Sequence, residues 1–591
     1  MIDTEVSRQF DRRSALFLTG GAILTSALVL RMLQMQVFSY REYKRKSENN
    51  SFRIQLNQPE RGRILSRNGA PISRDGPIYR IYIIPEETED LDGLIATAAN
   101  DLGLSQKRIK RIYAKIKKQA KFQPVLISEN TNWGELAKLS AKNLPGLHVR
   151  SGFGRIYEMG PAGAQIFGYV GAPERAVANA PFYTTGITGL EKRFNDDMAG
   201  IPGQTVAITN AVGRTTGEDK SQYIAPIMGI DVSTTINENA QRVLYDKLTT
   251  YHAGCGVAID ITTGDILAMA STPSFDPNAF NNDDGEEYIE MLRGDYAKPF
   301  MNKTIEGLYP PGSTFKIIVA LAALESGAIT PNDTVYCPGH WDFGDRRYHC
   351  WEHKGHGRVN LAGALAHSCD IYFYQLALKI GIDAIKAMAL KLGLMEKYMD
   401  DILAREMPGI IPDRKWKEKT TGTRWVQGDT VISGIGQGFI LANCLQLAVM
   451  MARVASNRVV MPRLILSGDA LTFDELGLQE KNIASVLKGL EMVTQSGGTA
   501  SGSAINVRGM KMGGKTGTSQ VRSISKAERA RGVLTNEQLK WNMRNHGLFV
   551  GYAPTVNPRF AVCAITEHSG SSGSAARTVA AVMQELLKDL G

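Results

Sequence analysis

A serine hydroxyl becomes a nucleophile only when a base takes its proton, and Ser313-Thr314-Phe315-Lys316 carries both groups three residues apart. Tyr309-Pro310-Pro311-Gly312 precedes it and makes a tight turn. Residues 315–324 are almost wholly apolar, and Gly327 suits a C-cap. The pattern predicts a buried helix with Ser313 at its first turn and Lys316 on the same face. A lysine serves as the base when burial and a neighbouring cation lower its pKa. A helix N-terminus adds N–H groups that suit a developing oxyanion. Taken alone, Ser-x-x-Lys also fits an N-cap serine followed by a surface lysine. Further along stand Ser368-Cys369-Asp370 and Lys515-Thr516-Gly517-Thr518. The ordered set of three strings points to acyl transfer through a serine ester.

These strings need elements to position them. Lys515 follows Met512-Gly513-Gly514 in a run of small and polar residues without helical period. That predicts an edge strand whose glycines admit a ligand backbone. Residues 548–552 and 560–565 read as buried strands, and residues 575–590 as a closing amphipathic helix. Upstream, residues 257–260 and 265–269 flank Thr262-Thr263-Gly264, a hairpin signal. Strands at both ends with helices between predict an α+β fold, an antiparallel sheet flanked by helices.

In these contexts residues 235–591 resemble the transpeptidase domain of class B penicillin-binding proteins. Within that family the chain is most similar to the elongation-type subgroup, penicillin-binding protein 2. Supporting strings are Gly256-Val257-Ala258-Ile259-Asp260, Gly355-His356-Gly357, Gly436-Gln437-Gly438 and Gly551-Tyr552-Ala553-Pro554. The resemblance implies a penicillin-binding/β-lactamase-like transpeptidase fold on a β-rich pedestal. It implies a serine D,D-transpeptidase that crosslinks peptidoglycan stem peptides, serves cell-wall elongation and cell shape, and is a target of β-lactams. Ser313 would be the acylated nucleophile, Lys316 its base, and Ser368 a proton relay toward the leaving and acceptor amines. Lys515, Thr516, Gly517 and Thr518 would hold the donor peptide along the strand edge and bind its carboxylate. The backbone N–H groups of Ser313 and Thr518 would form the oxyanion hole. Asp370 departs from the commoner asparagine, and an ionised Asp cannot donate as an amide does. A division-type class B enzyme is the alternative within the family.

Of six cysteines, Cys255, Cys444 and Cys563 lie in apolar contexts typical of buried thiols. Cys337, Cys350 and Cys369 are clustered with His340, His349, His353 and His356. Two chemistries fit, a closed tetrahedral zinc site and a Cys337–Cys350 disulfide in an oxidising compartment. The spacing matches no zinc-finger pattern. The resemblance favours the metal, because some elongation-type enzymes bind one through the histidine of Gly-His-Gly and the cysteine of Ser-Cys-Asp. Those positions are His356 and Cys369. The expectation is a structural zinc held by Cys337, Cys350, His356 and Cys369, with no organic cofactor. Such a metal would tether Ser368 to the loop of residues 335–358.

At 591 residues the chain exceeds a single core. Residues 15–30 carry no charge, and the apolar run continues past Arg31 to Phe38. As a helix, residues 15–35 span about 31 Å, enough for a hydrocarbon core. Arg31 can snorkel to the interface. No small-x-small cleavage site follows, so an uncleaved anchor is expected rather than a signal peptide. Basic residues flank both ends, and charge counting leaves orientation open. The implied substrate decides it: residues 1–14 are a cytoplasmic tail, 15–38 the transmembrane anchor, and the body is periplasmic. The expected location is a bacterial inner membrane, crossed once.

Residues 39–234 carry no catalytic string and read as a pedestal or dimerisation-type domain with a head subdomain near residues 86–148. Strands are expected at 51–56, 61–64 and 80–84, and helices over 91–142. Residues 107–118 predict a basic amphipathic helix, either solvated or laid on membrane or wall. The net charge of +9 does not imply nucleic acid, since no nucleic-acid motif accompanies it. Residues 521–545 read as a loop bordering the site, mobile or an ordered excursion. The family implies a SEDS-type glycosyltransferase and elongation scaffold proteins as partners, beside stem peptides, β-lactams and the membrane. Two rivals share the strings. A β-lactamase must position a glutamate and water for deacylation, and Glu406 stands at a suggestive distance without the required pattern. A β-lactam sensor needs a cytoplasmic effector, for which the residues before the span leave no room.

Overall fold

The computed structural model describes residues 3–41, 52–174, 183–209, 215–281, 285–466, 468, 471–522, 528, 531–588 and 590. They divide into two compact units. The first comprises residues 1–60, 172–183 and 200–228. Its helix α1 (Asp3–Leu33) runs into a π-helical turn, Gln34–Phe38. The stretch Ser14–Phe38 is 25 residues long, apolar and wholly unburied, and it fits a single-pass membrane anchor. The same unit holds an antiparallel sheet of Phe52–Asn57, Gly203–Thr209 and Thr215–Ile224. The first of these is the strand expected at 51–56; Ser51 and the basic residues 44–46 lie outside the described residues.

The second unit comprises residues 61–171, 184–199 and 229–591. Its N-terminal part is built on two long antiparallel strands, Pro71–Ile83 and Leu147–Tyr157. The strand expected at 61–64 is confined to Ile64–Leu65. Residues 91–142 are not helical throughout, as expected from their charge. Helices Leu91–Leu102, Gln106–Lys118 and Trp133–Ser140 are interrupted by a strand, Val125–Thr131, which pairs with Pro71–Ile83. Its Val125 and Ile127 join Ile81, Ile83, Leu94, Ile95 and Ile112 in a small core, so tertiary pairing overrides the local helical signal. The basic helix is amphipathic as expected, with Ile112 buried. Two of its cations pair with helix Gly285–Gly294, Lys107 with Glu287 at 3.1 Å and Arg111 with Glu286 at 2.8 Å.

The same unit holds a buried ionic cluster. Glu191 receives Arg61 Nε at 2.7 Å on one oxygen and Arg155 Nε at 2.7 Å on the other. Ser73 Oγ donates to Glu191 at 3.0 Å, and Arg155 also reaches Asp75 at 3.1 Å. Such charges are tolerated inside a protein only when each is paired and hydrogen-bonded.

The catalytic region is organised on five strands: β1 (Gly254–Asp260), β2 (Ile266–Thr272), β3 (Gly513–Ser519), β4 (His546–Ala553) and β5 (Phe560–Thr566). All pairings are antiparallel, in the order β2-β1-β5-β4-β3. The covering helices are α2 (Glu238–Thr249), α3 (Lys316–Glu325), α4 (Asp370–Lys391), α5 (Cys444–Ser456), α6 (Glu480–Thr494) and α7 (Ser572–Leu587). Side chains alternate between two cores. Cys255, Val257, Val550, Cys563 and Ile565 share a core with α3, α4 and α5. Ala258, Phe549, Val562 and Ala564 share the other with α2 and α7. This is the expected α+β fold, and β1, β2, β4 and β5 read as largely apolar runs because both faces are covered. β3 closes one edge of the sheet, where no further strand pairs with it.

Breaking the buried ionic cluster tests its weight. Glu191→Ala strands two guanidinium groups and is expected to cost about 3–5 kcal/mol, seen as a lower denaturant midpoint of the detergent-solubilised chain. An unchanged midpoint would show that water reaches these groups after all.

Candidate active site

Ser313 sits in a 3₁₀ turn, Gly312–Phe315, that feeds α3. The helix ends as expected at Gly327, where Gly327 N–H bonds Leu324 O at 3.1 Å and Ala328 N–H bonds Ala323 O at 3.0 Å. Gly312 has φ +53°, and a Cβ there would lie 2.6 Å from Thr518 O. A Cβ on Gly517 would lie 2.9 Å from Pro311 O. The nucleophile turn and β3 thus pack backbone against backbone, which only glycine allows at these points.

Lys316 is completely buried, which excludes the surface-lysine reading. Its ammonium donates to Asp370 Oδ1 at 2.7 Å, to Ser368 O at 2.8 Å and to Ser368 Oγ at 3.2 Å. Three N–H donors thereby meet three acceptors. Ser368 has φ +54° and terminates helix Leu361–Ala366 in the left-handed position that glycine normally takes. Ser368 N–H bonds Leu365 O at 3.3 Å and Cys369 N–H bonds Ala364 O at 2.9 Å. This turn aims both oxygens of Ser368 at Lys316.

Lys515 is also fully buried, and its ammonium donates to Thr516 O at 3.2 Å and Thr516 Oγ1 at 3.4 Å. Burial first, and then the charge of Lys316, hold its pKa well below the usual lysine range, while Asp370 opposes them. Thr516 Oγ1 also meets Thr499 Oγ1 at 2.8 Å. Thr516 O and Thr518 O both accept from side chains, Thr518 from Gln437 Nε2 at 3.0 Å. In an antiparallel strand the N–H and C=O of one residue point the same way. The N–H of Thr518 therefore faces the nucleophile side, the orientation an oxyanion donor needs.

The four metal-type residues converge. Donor atoms of Cys337, Cys350, His356 and Cys369 all lie within 4.8 Å of one another. His356 Nδ1 is 3.7 Å from Cys337 Sγ and 3.5 Å from Cys350 Sγ. A tetrahedral zinc with bonds of about 2.3 Å to sulfur and about 2.0 Å to nitrogen sets neighbouring donors about 3.5–3.8 Å apart. The set fits that ion in donor type, number and spacing. All six cysteines are free, Cys337 and Cys350 included. A hydrogen bond between Cys350 and Cys369 lowers the pKa of the first thiol and raises that of the second.

The metal-type loop reaches the catalytic strings through Asp370. Trp351 N–H donates to Asp370 Oδ2 at 2.9 Å, and Asp370 N–H donates to Cys350 Sγ at 3.4 Å. Trp351 Nε1 adds a bond to Ser368 O at 3.1 Å. Both carboxylate oxygens of Asp370 thus accept, which accounts for an aspartate where an asparagine is commoner.

The sequence model of the penicillin binding protein transpeptidase domain matches residues 254–587. The chain belongs to the penicillin-binding protein transpeptidase family. Residues 56–234 match the penicillin-binding protein dimerisation domain. The peptidoglycan D,D-transpeptidase MrdA of Acinetobacter baumannii is 32% identical over 594 residues, 96% of this chain and 86% of that one. MrdA of Escherichia coli K12 is 29% identical over 611 residues, 99% of this chain and 94% of that one. Among solved structures, penicillin-binding protein 2 of Pseudomonas aeruginosa in complex with WCK 5153 aligns with a TM-score of 0.63 at 28% identity. That alignment covers 90% of this chain and 97% of that one. The complex of penicillin-binding protein 2 and MreC from Helicobacter pylori shares the fold, with a TM-score of 0.73 at 23% identity over 91% of this chain and 99% of that one.

In this penicillin-binding protein Glu406 has a structural task. Its buried Oε2 accepts from Tyr398 N–H at 2.7 Å and Met399 N–H at 2.5 Å, and burial raises its pKa. The excursion of residues 521–545 carries 3₁₀ turns at Asn536–Gln538 and Trp541–Met543, with the Trp541 ring 4.5 Å from that of His568. Residues 523–527 and 529–530 lie outside the described residues. Sequence reasoning did not single out Trp351 or Thr499 for the site. Gln437 stood within Gly436-Gln437-Gly438, and Trp351 beside Cys350, but nothing local assigned them a contact.

The depressed Lys515 pKa is a stability statement. Below its folded pKa the native state bears the full cost of a buried ammonium, and the cost fades as pH rises toward the unfolded value near 10.5. Lys515→Met is expected to raise the thermal midpoint at neutral pH by an amount equivalent to about 1 kcal/mol. The gain should shrink as pH rises through that window, and a pH-independent gain would mean that Lys515 is not the titrating group.

Proposed function

We propose that the chain is an elongation-type peptidoglycan D,D-transpeptidase that works through an acyl-enzyme on Ser313 and is trapped by β-lactams. One observation carries this reading: a buried Lys316 bound to Ser368 and Asp370, one helical turn from Ser313 and beside the open edge of β3. Lys316 serves as the base that takes the Ser313 proton. Oγ attacks the carbonyl between the two terminal D-alanines of a stem peptide. The N–H groups of Ser313 and Thr518 stabilise the oxyanion. Lys515 and the hydroxyls of Thr516 and Thr518 bind the terminal carboxylate, and Gly517 keeps that strand close. Ser368 passes the proton to the departing amine, D-alanine leaves, and a side-chain amine of a neighbouring stem takes the acyl group. A β-lactam follows the same first half and remains as an ester.

Cys337, Cys350, His356 and Cys369 would hold a zinc ion, which would supply a structural crosslink and no chemical step. Their loop holds Asp370 through the corner at Trp351. Residues 15–38 anchor the protein once in a bacterial inner membrane, with the tail of residues 1–14 cytoplasmic and the body periplasmic. Residues 39–234 serve as pedestal, with the head near 86–148, and residues 235–591 as the transpeptidase domain. The MreC complex of a structural neighbour supports a scaffold partner. A SEDS-type glycosyltransferase supplies the glycan strands. Glu406 argues against a β-lactamase, because its side chain is buried and its Oε2 is held by two backbone N–H groups.

Intact-protein mass after exposure to a penicillin tests the nucleophile. The parent should gain one long-lived adduct and Ser313→Ala none; an adduct on both would place the nucleophile elsewhere. Elemental analysis tests the metal independently of activity. One zinc per chain is expected, lost in Cys369→Ser, whereas metal-free protein with a Cys337–Cys350 crosslink would sink the zinc assignment.

A further inference from the structure

The Gly436-Gln437-Gly438 turn takes no part in the chemistry above, yet it touches both walls of the cleft. Gly436 O accepts from Gly312 N–H at 3.0 Å, one residue before the nucleophile. The side chain of Gln437 donates from Nε2 to Thr518 O at 3.0 Å, on the facing strand. Thr518 is the exposed residue of an otherwise buried β3. An extended chain adding to a sheet edge needs the carbonyls of alternate residues as acceptors. On β3 those belong to Thr516, engaged by Lys515, and to Thr518, engaged by Gln437. A ligand N–H arriving at Thr518 therefore meets an oxygen that a side-chain amide already holds, and the two donors compete for it. The Gln437 bond is neutral and solvent-facing, the kind worth a factor of about 2 to 10 in an equilibrium.

We propose that Gln437 is a placeholder for the acyl donor. It satisfies the Thr518 carbonyl in the free enzyme and yields it to the backbone N–H of an extended donor. Gln437 is thus a positioning residue that acts on donors bearing that N–H and not on donors lacking it. The proposal rests on the transpeptidase reading of the site.

β-Lactams separate the two classes. A penicillin with an acylamino side chain offers the N–H, and a carbapenem with a hydroxyethyl group does not. The measurement is the second-order acylation rate of the full-length, detergent-solubilised chain with each compound, for the parent, Gln437→Ala and Gln437→Glu. A carboxylate cannot donate to Thr518 O, so the second variant removes the bond while keeping the side-chain length. Both variants should raise the ratio of penicillin to carbapenem rates by about threefold. A merely structural loss slows both compounds together and leaves the ratio unchanged, which overturns the placeholder role. A ratio that falls also overturns it, since Gln437 would then contact the bound acylamino group. If the parent is acylated by neither compound, the transpeptidase reading itself has failed.

Discussion

The buried pair of Lys316 and Asp370 is the contact on which the site hangs. An ammonium without water is stable only if its three donors find acceptors, and removing one partner leaves an uncompensated charge. Here the acceptors come from one short stretch, Ser368 to Asp370, so the charge of α3 fixes the start of α4. The second oxygen of Asp370 passes the constraint on, through Trp351, to the loop carrying the cysteines. Helix, catalytic turn and metal-type loop are thus registered against one another by a single ammonium.

The edge strand is the complementary constraint. An open sheet edge invites unwanted pairing, and proteins usually blunt it. β3 is short, lies against the nucleophile turn, and has acceptors at Thr516 and Thr518 already occupied by Lys515 and Gln437. The two glycine contacts with the turn hold this edge at a fixed distance from Ser313. What would be a liability on another sheet is here kept narrow and directional.

Much of this was legible in the sequence, for identifiable reasons. Four of the five strands could be read because burial on both faces turns them into largely apolar runs bounded by turns, and β3 because its small and polar residues lack a helical period. The metal-type set could be read because few residue types bind zinc, and they cluster around the Gly-His-Gly string. Long-range polar partners could not. Nothing beside Glu191 indicates Arg61, 130 residues away, or Arg155, 36 residues away. The strand Val125–Thr131 was hidden for the same reason: its identity depends on pairing with Pro71–Ile83, not on its own short apolar run. Asp370 looked like a departure from a pattern until its two donors were visible.

Serine and threonine carry the same hydroxyl, yet they are not interchangeable at position 368. The left-handed backbone there is already unfavourable for a residue with a Cβ and markedly worse for a β-branched one. A threonine at this point would have to unwind the turn that aims the hydroxyl and the carbonyl at Lys316. The commonest conservative exchange for a serine is closed off by a dihedral angle before proton transfer is considered, and the route by which this motif can vary is narrower than its chemistry requires.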